Sequence, residues 1–160
     1  MRFIGQKQKK YYTEFISKFI PDNINTYIEP FGGSFAVATY IAEDVTKKTK
    51  KIIYNDIIRY DMVIYADKVH HLDYKEIFKM YDSEDVVFYL DPPYYGKEFL
   101  YDNSDNFNHE ELRNEIMNLK GKVVLSYEDC PFIRNLYNGF NINLYDGENF
   151  IFRNELIIIN

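Results

Sequence analysis

Residues 85–96 read Asp85-Val86-Val87-Phe88-Tyr89-Leu90-Asp91-Pro92-Pro93-Tyr94-Tyr95-Gly96. A short apolar run that stops at an acid and two prolines reads as a strand, Asp85–Leu90, with its carboxyl end set by its own sequence. Apolar-rich runs of the same kind lie on either side, at Thr26–Glu29, Lys51–Tyr54, Lys122–Ser126, Phe140–Leu144 and Glu155–Ile159, with a weaker one at Lys68–His71. Between most of them the spacing turns helical, over Tyr12–Ile20, Ser34–Glu43, Ile57–Ala66, Tyr74–Met80, Glu110–Leu119 and Pro131–Tyr137. Asn108 reads as the N-cap of the Glu110–Leu119 helix, with Glu110 and Glu111 suited to the positive end of its dipole. This alternation predicts an α/β fold: a mostly parallel seven-stranded sheet with helices on both faces. Only the Asp146-Gly147-Glu148 turn signal separates the last two strands. They are therefore expected to pair antiparallel at or near the edge.

Composition bounds the rest. A chain of 160 residues is one domain's worth, and 46% hydrophobic with 28% charged content is ordinary for a folded core. No run of 18 apolar residues is present, which removes a membrane span. Met1-Arg2-Phe3-Ile4-Gly5-Gln6-Lys7 has no apolar signal core, so a cytoplasmic protein is expected. The lone Cys130 builds neither an internal disulfide nor a zinc knuckle, and His70, His71 and His109 lack metal-ligand spacing. A net charge of −6 argues against a free-standing binder that works by gripping phosphates.

In open α/β sheets ligands bind beyond the carboxyl ends of the strands, so the residues just past each strand matter most. After the first comes Glu29-Pro30-Phe31-Gly32-Gly33-Ser34-Phe35, opening into a helix. Paired glycines let the backbone pass close to a ligand, and Ser34 is expected to cap the helix. After the second comes Asn55-Asp56, with Asp56 roughly twenty residues beyond Gly33, near the spacing at which a strand-end acid meets ribose hydroxyls. An Asp there serves equally well as a cap for the next helix. Together the two turns favour a nucleoside-containing cofactor.

Asp91-Pro92-Pro93-Tyr94 suits a narrower chemistry. An exocyclic ring amine is a poor nucleophile because its lone pair is delocalised into the ring. Asp91 and the carbonyl of Pro92 could accept its two hydrogens and draw the nitrogen toward a pyramidal geometry. Tyr94 could stack on the ring and hold it at attack distance. Electrostatics and alignment then carry the rate, without a separate strong base.

Asp91-Pro92-Pro93-Tyr94, with Glu29-Pro30-Phe31-Gly32-Gly33-Ser34 upstream, resembles the Dam-type S-adenosylmethionine-dependent adenine-N6 DNA methyltransferases. The order of the other segments is similar too. Phe3-Ile4-Gly5-Gln6-Lys7 resembles the N-terminal cofactor segment, Asn55-Asp56-Ile57 the acidic ribose turn, and Asp73-Tyr74 the position beside the cofactor adenine. Ser126-Tyr127-Glu128-Asp129-Cys130-Pro131 and the closing Asn154–Asn160 also look familiar. The resemblance implies a Rossmann-like methyltransferase fold, a single minimal domain over 1–160 with a cofactor-side segment at 1–20. It implies catalytic roles for Asp91, Pro92, Pro93 and Tyr94. It places S-adenosylmethionine against Lys7, Glu29, Phe31, Gly33, Asp56, Asp73 and Asp91, with no metal.

Two departures stand out. The family's glycine loop usually reads Phe-x-Gly-x-Gly, and Phe35 stands at its last glycine; the expectation is that its ring packs under the loop. The family also inserts a recognition region where this chain has only Ile57–Lys68, so relaxed or partner-dependent sequence preference is expected. DNA, including unpaired or distorted sites, is the implied substrate, with a homodimer or a recognition subunit as alternative sources of readout. An RNA methyltransferase and a non-catalytic binding subunit are the competing functions. Lys47-Lys48-Thr49-Lys50-Lys51 reads as a solvated loop at the amino ends of the strands, away from the site. Asp102 and Asp105 belong to a polar loop beside it.

Overall fold

A computed structural model describes residues 10–44, 46–58, 65–101, 104, 106–145 and 154–160. Its seven strands form one sheet: β1 (Asn23–Glu29), β2 (Lys48–Asn55), β3 (Lys68–His70), β4 (Val86–Leu90), β5 (Lys122–Glu128), β6 (Asn141–Tyr145) and β7 (Glu155–Ile159). Among the described residues five α-helices connect or flank them: α1 (Lys10–Ser17), α2 (Ala36–Glu43), α3 (Tyr74–Tyr81), α4 (His109–Met117) and α5 (Pro131–Leu136). The strand order is β3-β2-β1-β4-β5-β7-β6. The first five strands pair in parallel, and β7 inserts antiparallel between β5 and β6. The expected Rossmann-like sheet with an antiparallel edge is what forms.

Successive residues of a strand point to opposite faces, so the central strands divide their apolar residues between two cores. Ile28, Ile53, Phe88, Leu90, Val123 and Leu125 face α3, α4 and α5, where Ile77, Phe78, Leu112, Ile116 and Ile133 cover them. Tyr27, Tyr54, Val87, Tyr89 and Val124 face α1 and α2, against Tyr12, Ile16, Val37, Ala38 and Ile41. Each fully buried Leu or Phe contributes about 1.5–3 kcal/mol, which explains why β4 is apolar at every position. The edge strands β3 and β6 are the more exposed ones, with Lys68, Asn141 and Asn143 interrupting them.

The boundaries report local chemistry. Asn108 Oδ1 accepts from the Glu111 amide at 3.0 Å and caps α4, as expected. α1 stops at Ser17, short of Ile20, because the chain tightens into i→i+3 bonds ahead of Pro21. Lys48, Lys50 and Lys51 lie in the first half of β2 and not in a loop, since Asn23 and Ile24 supply main-chain pairing there. They do sit at the amino end of the sheet. The expected helix at Ile57–Ala66 is described only at its ends, and residues 57–58 and 65–66 are not helical. The expected Asp146-Gly147-Glu148 turn lies outside the described residues. No described helix is long and apolar enough to cross a membrane.

Candidate active site

The strand order reverses between β1 and β4: the chain leaves β1 toward β2 on one side and returns as β4 on the other. A crevice opens at such a point, beyond the carboxyl ends of both strands. The glycine loop leaves β1 there, and Asp91-Pro92-Pro93-Tyr94 leaves β4 beside it. The sequence-predicted site residues Glu29, Phe31, Gly33, Asp56 and Asp91 thus gather at one end of the sheet.

The glycine loop is fixed mainly through its backbone. The Gly32 amide donates to the Asn55 carbonyl at 2.8 Å, and a Cβ at Gly32 would collide with the Tyr54 ring. Gly33 takes a φ of 47°, donates its amide to Asp56 Oδ2 at 2.8 Å, and has open space where a side chain would be. Asp56 Oδ1 also accepts the Ile58 amide at 2.9 Å. Burial pushes the Asp56 carboxyl above its usual range, against the pull of those two amides and of His71. Asn55, fully buried, completes the frame: its amide group donates to the Pro30 and Leu72 carbonyls at 2.8 and 2.9 Å, and its oxygen accepts from the Leu72 amide at 2.9 Å. This Asn therefore ties the loop after β1 to the chain entering α3.

Phe35 resolves the first departure from the family pattern. Its backbone keeps the left-handed conformation a glycine would adopt, with φ 57° and ψ 29°. That costs a side-chain-bearing residue about 1–2 kcal/mol. The ring is buried edge-on against Tyr54, with centroids 4.9 Å apart, so it packs beneath the loop. Phe35 rather than Ser34 occupies the N-cap position of α2, and no side chain caps that helix. The expectation for Ser34 fails because the left-handed residue shifts the helix start. Asp73 caps α3, accepting the Lys75 amide at 2.9 Å. Lys7 lies outside the described residues, as do Asp102 and Asp105.

The turn after β4 is held by side chains from elsewhere. Pro92 and Pro93 are buried, and Asp91 is half-buried at the end of the strand. Ser126 of β5 reaches Asp91 Oδ1 at 3.1 Å and the Leu90 carbonyl at 3.3 Å, and its hydroxyl meets that of Tyr89 at 3.1 Å. Tyr94 donates its hydroxyl to Glu155 Oε2 at 2.9 Å, and Tyr12 of α1 donates to the same oxygen. Burial, and then the negative charges of Asp91 and Glu155, push the Tyr94 phenol well above its usual range. Burial followed by Glu155 does the same to Tyr12, so both phenols stay protonated donors. On the β1 side Tyr27 donates to the buried Glu29 at 2.8 Å. Sequence reasoning missed Glu155, Tyr12 and Ser126 as parts of the site. Only the pairing of β7 with β5 brings Glu155 opposite Glu128, beside the turn after β4.

Beyond Tyr94 the chain is anchored again. Lys97 pairs with Glu128, and Glu98 accepts from the Gly96 amide at 3.0 Å. His109 bridges Glu98 Oε1 at 2.7 Å and the Tyr127 hydroxyl at 2.8 Å. Among the described residues no cluster of three or more His, Cys, Asp or Glu side chains could hold a metal ion.

This arrangement sets a half-buried carboxylate and two buried prolines at the same end of the sheet as an open glycine loop. Solved structures share its architecture. The Escherichia coli protein yhhF, named as a methyltransferase, superimposes with a TM-score of 0.61 at 10% identity, over 99% of this chain and 86% of that one. A precorrin-6y C5,15-methyltransferase from Geobacter metallireducens gives 0.57 at 13% identity, over 99% and 89%. An S-adenosylmethionine-dependent methyltransferase from Aquifex aeolicus gives 0.55 at 12% identity, over 92% and 88%. At such low identities these likenesses establish the fold. No curated protein matches this chain. The sequence itself matches one family model over residues 3–71 and 66–148, nearly its full length, and on that match the chain belongs to the D12 class N6 adenine-specific DNA methyltransferases.

Proposed function

We propose that this chain transfers a methyl group from S-adenosylmethionine to the exocyclic N6 amine of adenine in DNA. The observation that carries this reading is the Asp91-Pro92-Pro93-Tyr94 turn standing across the switch point from a glycine loop closed by Asp56.

The residues beside the loop suit the methyl donor. Gly33 leaves its outer side open, and a carboxylate oxygen has more than one lone pair, so Asp56 can hold the Gly33 amide and still accept a ribose hydroxyl. Glu29, Phe31 and Asp73 complete the binding set on the described chain, with Lys7 assigned to the methionine carboxylate. When bound, the donor supplies an electrophilic methyl group on a positively charged sulfur.

The chain's own residues prepare the amine. Asp91 and the Pro92 carbonyl accept hydrogen bonds from its two hydrogens, and Pro93 confines Pro92 to extended backbone, which keeps that carbonyl from turning away. Ser126 orients the Asp91 carboxylate in advance, so little reorganisation is left for the reaction. Tyr94, tethered at its hydroxyl, offers its ring to the base. No His or Cys takes part.

Net charge and the brief Ile57–Lys68 interval leave little for reading a duplex. Flipping a paired adenine costs a few kcal/mol, which recognition contacts normally offset. The enzyme accordingly favours unpaired or distorted sites, or gains selectivity from a second subunit, identical or not. Incubation with labelled methyl donor and either DNA or RNA, followed by nucleoside mass spectrometry, tests the reading. N6-methyldeoxyadenosine is the expected product; methylated RNA alone would replace the substrate, and an unmodified pool would overturn the activity.

A further inference from the structure

Immediately after Tyr94 the chain presents a second aromatic ring that the reaction above does not use. Tyr95 lies flat on Phe132, with centroids 3.9 Å apart and planes within 12°, yet it remains 45% exposed. His109 braces the pair edge-on, at 5.5 Å from Tyr95 and 6.4 Å from Phe132. Phe132 covers one face of the Tyr95 ring, and nearly half of the residue stays open to solvent. A cleft of about 360 Å³ adjoins the stack, lined by Phe132, His109, Phe107 and the amides Asn106 and Asn108. The platform is rigidly mounted, because Glu98 receives both the Gly96 amide and His109 while Lys97 is held by Glu128.

We propose that the side of Tyr95 turned away from Phe132 seats the nucleobase next to the target adenine in an unpaired DNA strand. The inference rests on the proposed reaction, since it takes Tyr94 to define where the target lies. Tyr95 follows Tyr94 directly, with their α-carbons about 3.8 Å apart, so a strand whose target base meets Tyr94 passes beside Tyr95. The chemistry of the surroundings selects a base over a phosphate. Lys97 is taken up by Glu128 and Arg134 by Asp129, while His109 meets Glu98 and Glu110 lines the cleft, so the nearby cations are already matched by carboxylates. Stacking needs no positive charge, because every base has a π-face. An acidic enzyme can hold a single strand this way.

The test measures binding of a single-stranded deoxyoligonucleotide containing one adenine, against versions with an abasic residue at each flanking position in turn. Wild-type protein, Tyr95→Phe and Tyr95→Ala are compared by fluorescence anisotropy. Base–aromatic stacking predicts that wild-type affinity falls about 5- to 150-fold for one of the two abasic strands. Tyr95→Phe should retain that dependence. Tyr95→Ala should bind the intact strand weakly and ignore the missing base. Wild-type binding that is indifferent to both abasic strands would overturn the proposal, even if Tyr95→Ala were unstable. So would full dependence retained in folded Tyr95→Ala. Product analysis of the same strands separates the two claims: persistent flank dependence with unmethylated adenine would refute the reaction while supporting the subsite.

Discussion

At the end of β1 the turn is fastened by main-chain groups and by residues a short way along the chain: Gly33 to Asp56, Gly32 to Asn55, Asn55 to Pro30 and Leu72. At the end of β4 it is fastened by side chains from distant elements: Ser126 on Asp91, and Glu155 shared by Tyr94 and Tyr12, the latter 143 residues away. The first turn leaves an open space at Gly33, whereas the second buries its prolines and half-buries its tyrosine. The difference fits two tasks. A loop that admits a large donor benefits from bare backbone, while groups that polarise an amine must be held still in advance.

That contrast breaks most visibly at Asp91. Asp91→Ala is expected to cut single-turnover methyl transfer by about 100- to 1000-fold or more, comparable to deleting a preorganised polar group that acts in a transition state. Circular dichroism must show the variant folded, because Asp91 also receives Ser126. Asp56→Ala should act on the other turn. Losing a carboxylate that accepts charge-assisted bonds is worth about 1.5–3 kcal/mol, or roughly 10- to 150-fold in donor affinity by calorimetry. Unchanged affinity would remove Asp56 from the binding set.

The same contrast explains what could be read from the sequence. Glycine pairs, strand-end acids and Asp-Pro-Pro are local signals, because each states its backbone geometry within a few residues. They suffice to place the glycine loop, Asp56 and Asp91 at one end of a sheet. Asn108 was legible as a cap for the same reason, whereas Ser34 misled because Phe35 adopts a conformation that side chains usually avoid. Glu155 was illegible as a site residue. It begins what reads as an ordinary apolar strand, and it meets Tyr12 of α1 and Tyr94 only once β7 is paired beside β5, which no local pattern states. The Tyr95–Phe132 stack is hidden similarly, since α5 supplies one ring and the loop after β4 the other.

Two smaller effects sharpen the picture. Glu155→Ala leaves two phenols without their carboxylate and should destabilise the fold by about 1–3 kcal/mol in urea unfolding. Against it, Tyr94→Phe removes one hydroxyl and should cost about 0.5–1.5 kcal/mol, and the double variant should cost less than the sum. Strict additivity would show that the tether does not exist. The smallest effect concerns pH. Burial raises the folded Asp56 carboxyl above its unfolded value, so its contribution to stability is full below that unfolded value, about pH 4, and is lost as pH rises through the folded one. Urea midpoints of Asp56→Asn, relative to the native protein, should therefore improve over that rise and not below it.

The division of labour between the two turns is tested most directly by titrating the methyl donor to saturation in folded Asp56→Ala and Asp91→Ala, with methyl transfer to a single-stranded deoxyoligonucleotide as the readout. Asp56→Ala should recover most of the native rate at high donor concentration, while Asp91→Ala should stay about 100- to 1000-fold or more below it at every concentration. Recovery of Asp91→Ala by added donor, or a saturated Asp56→Ala enzyme as slow as Asp91→Ala, would contradict the assignment of donor binding to one turn and amine activation to the other.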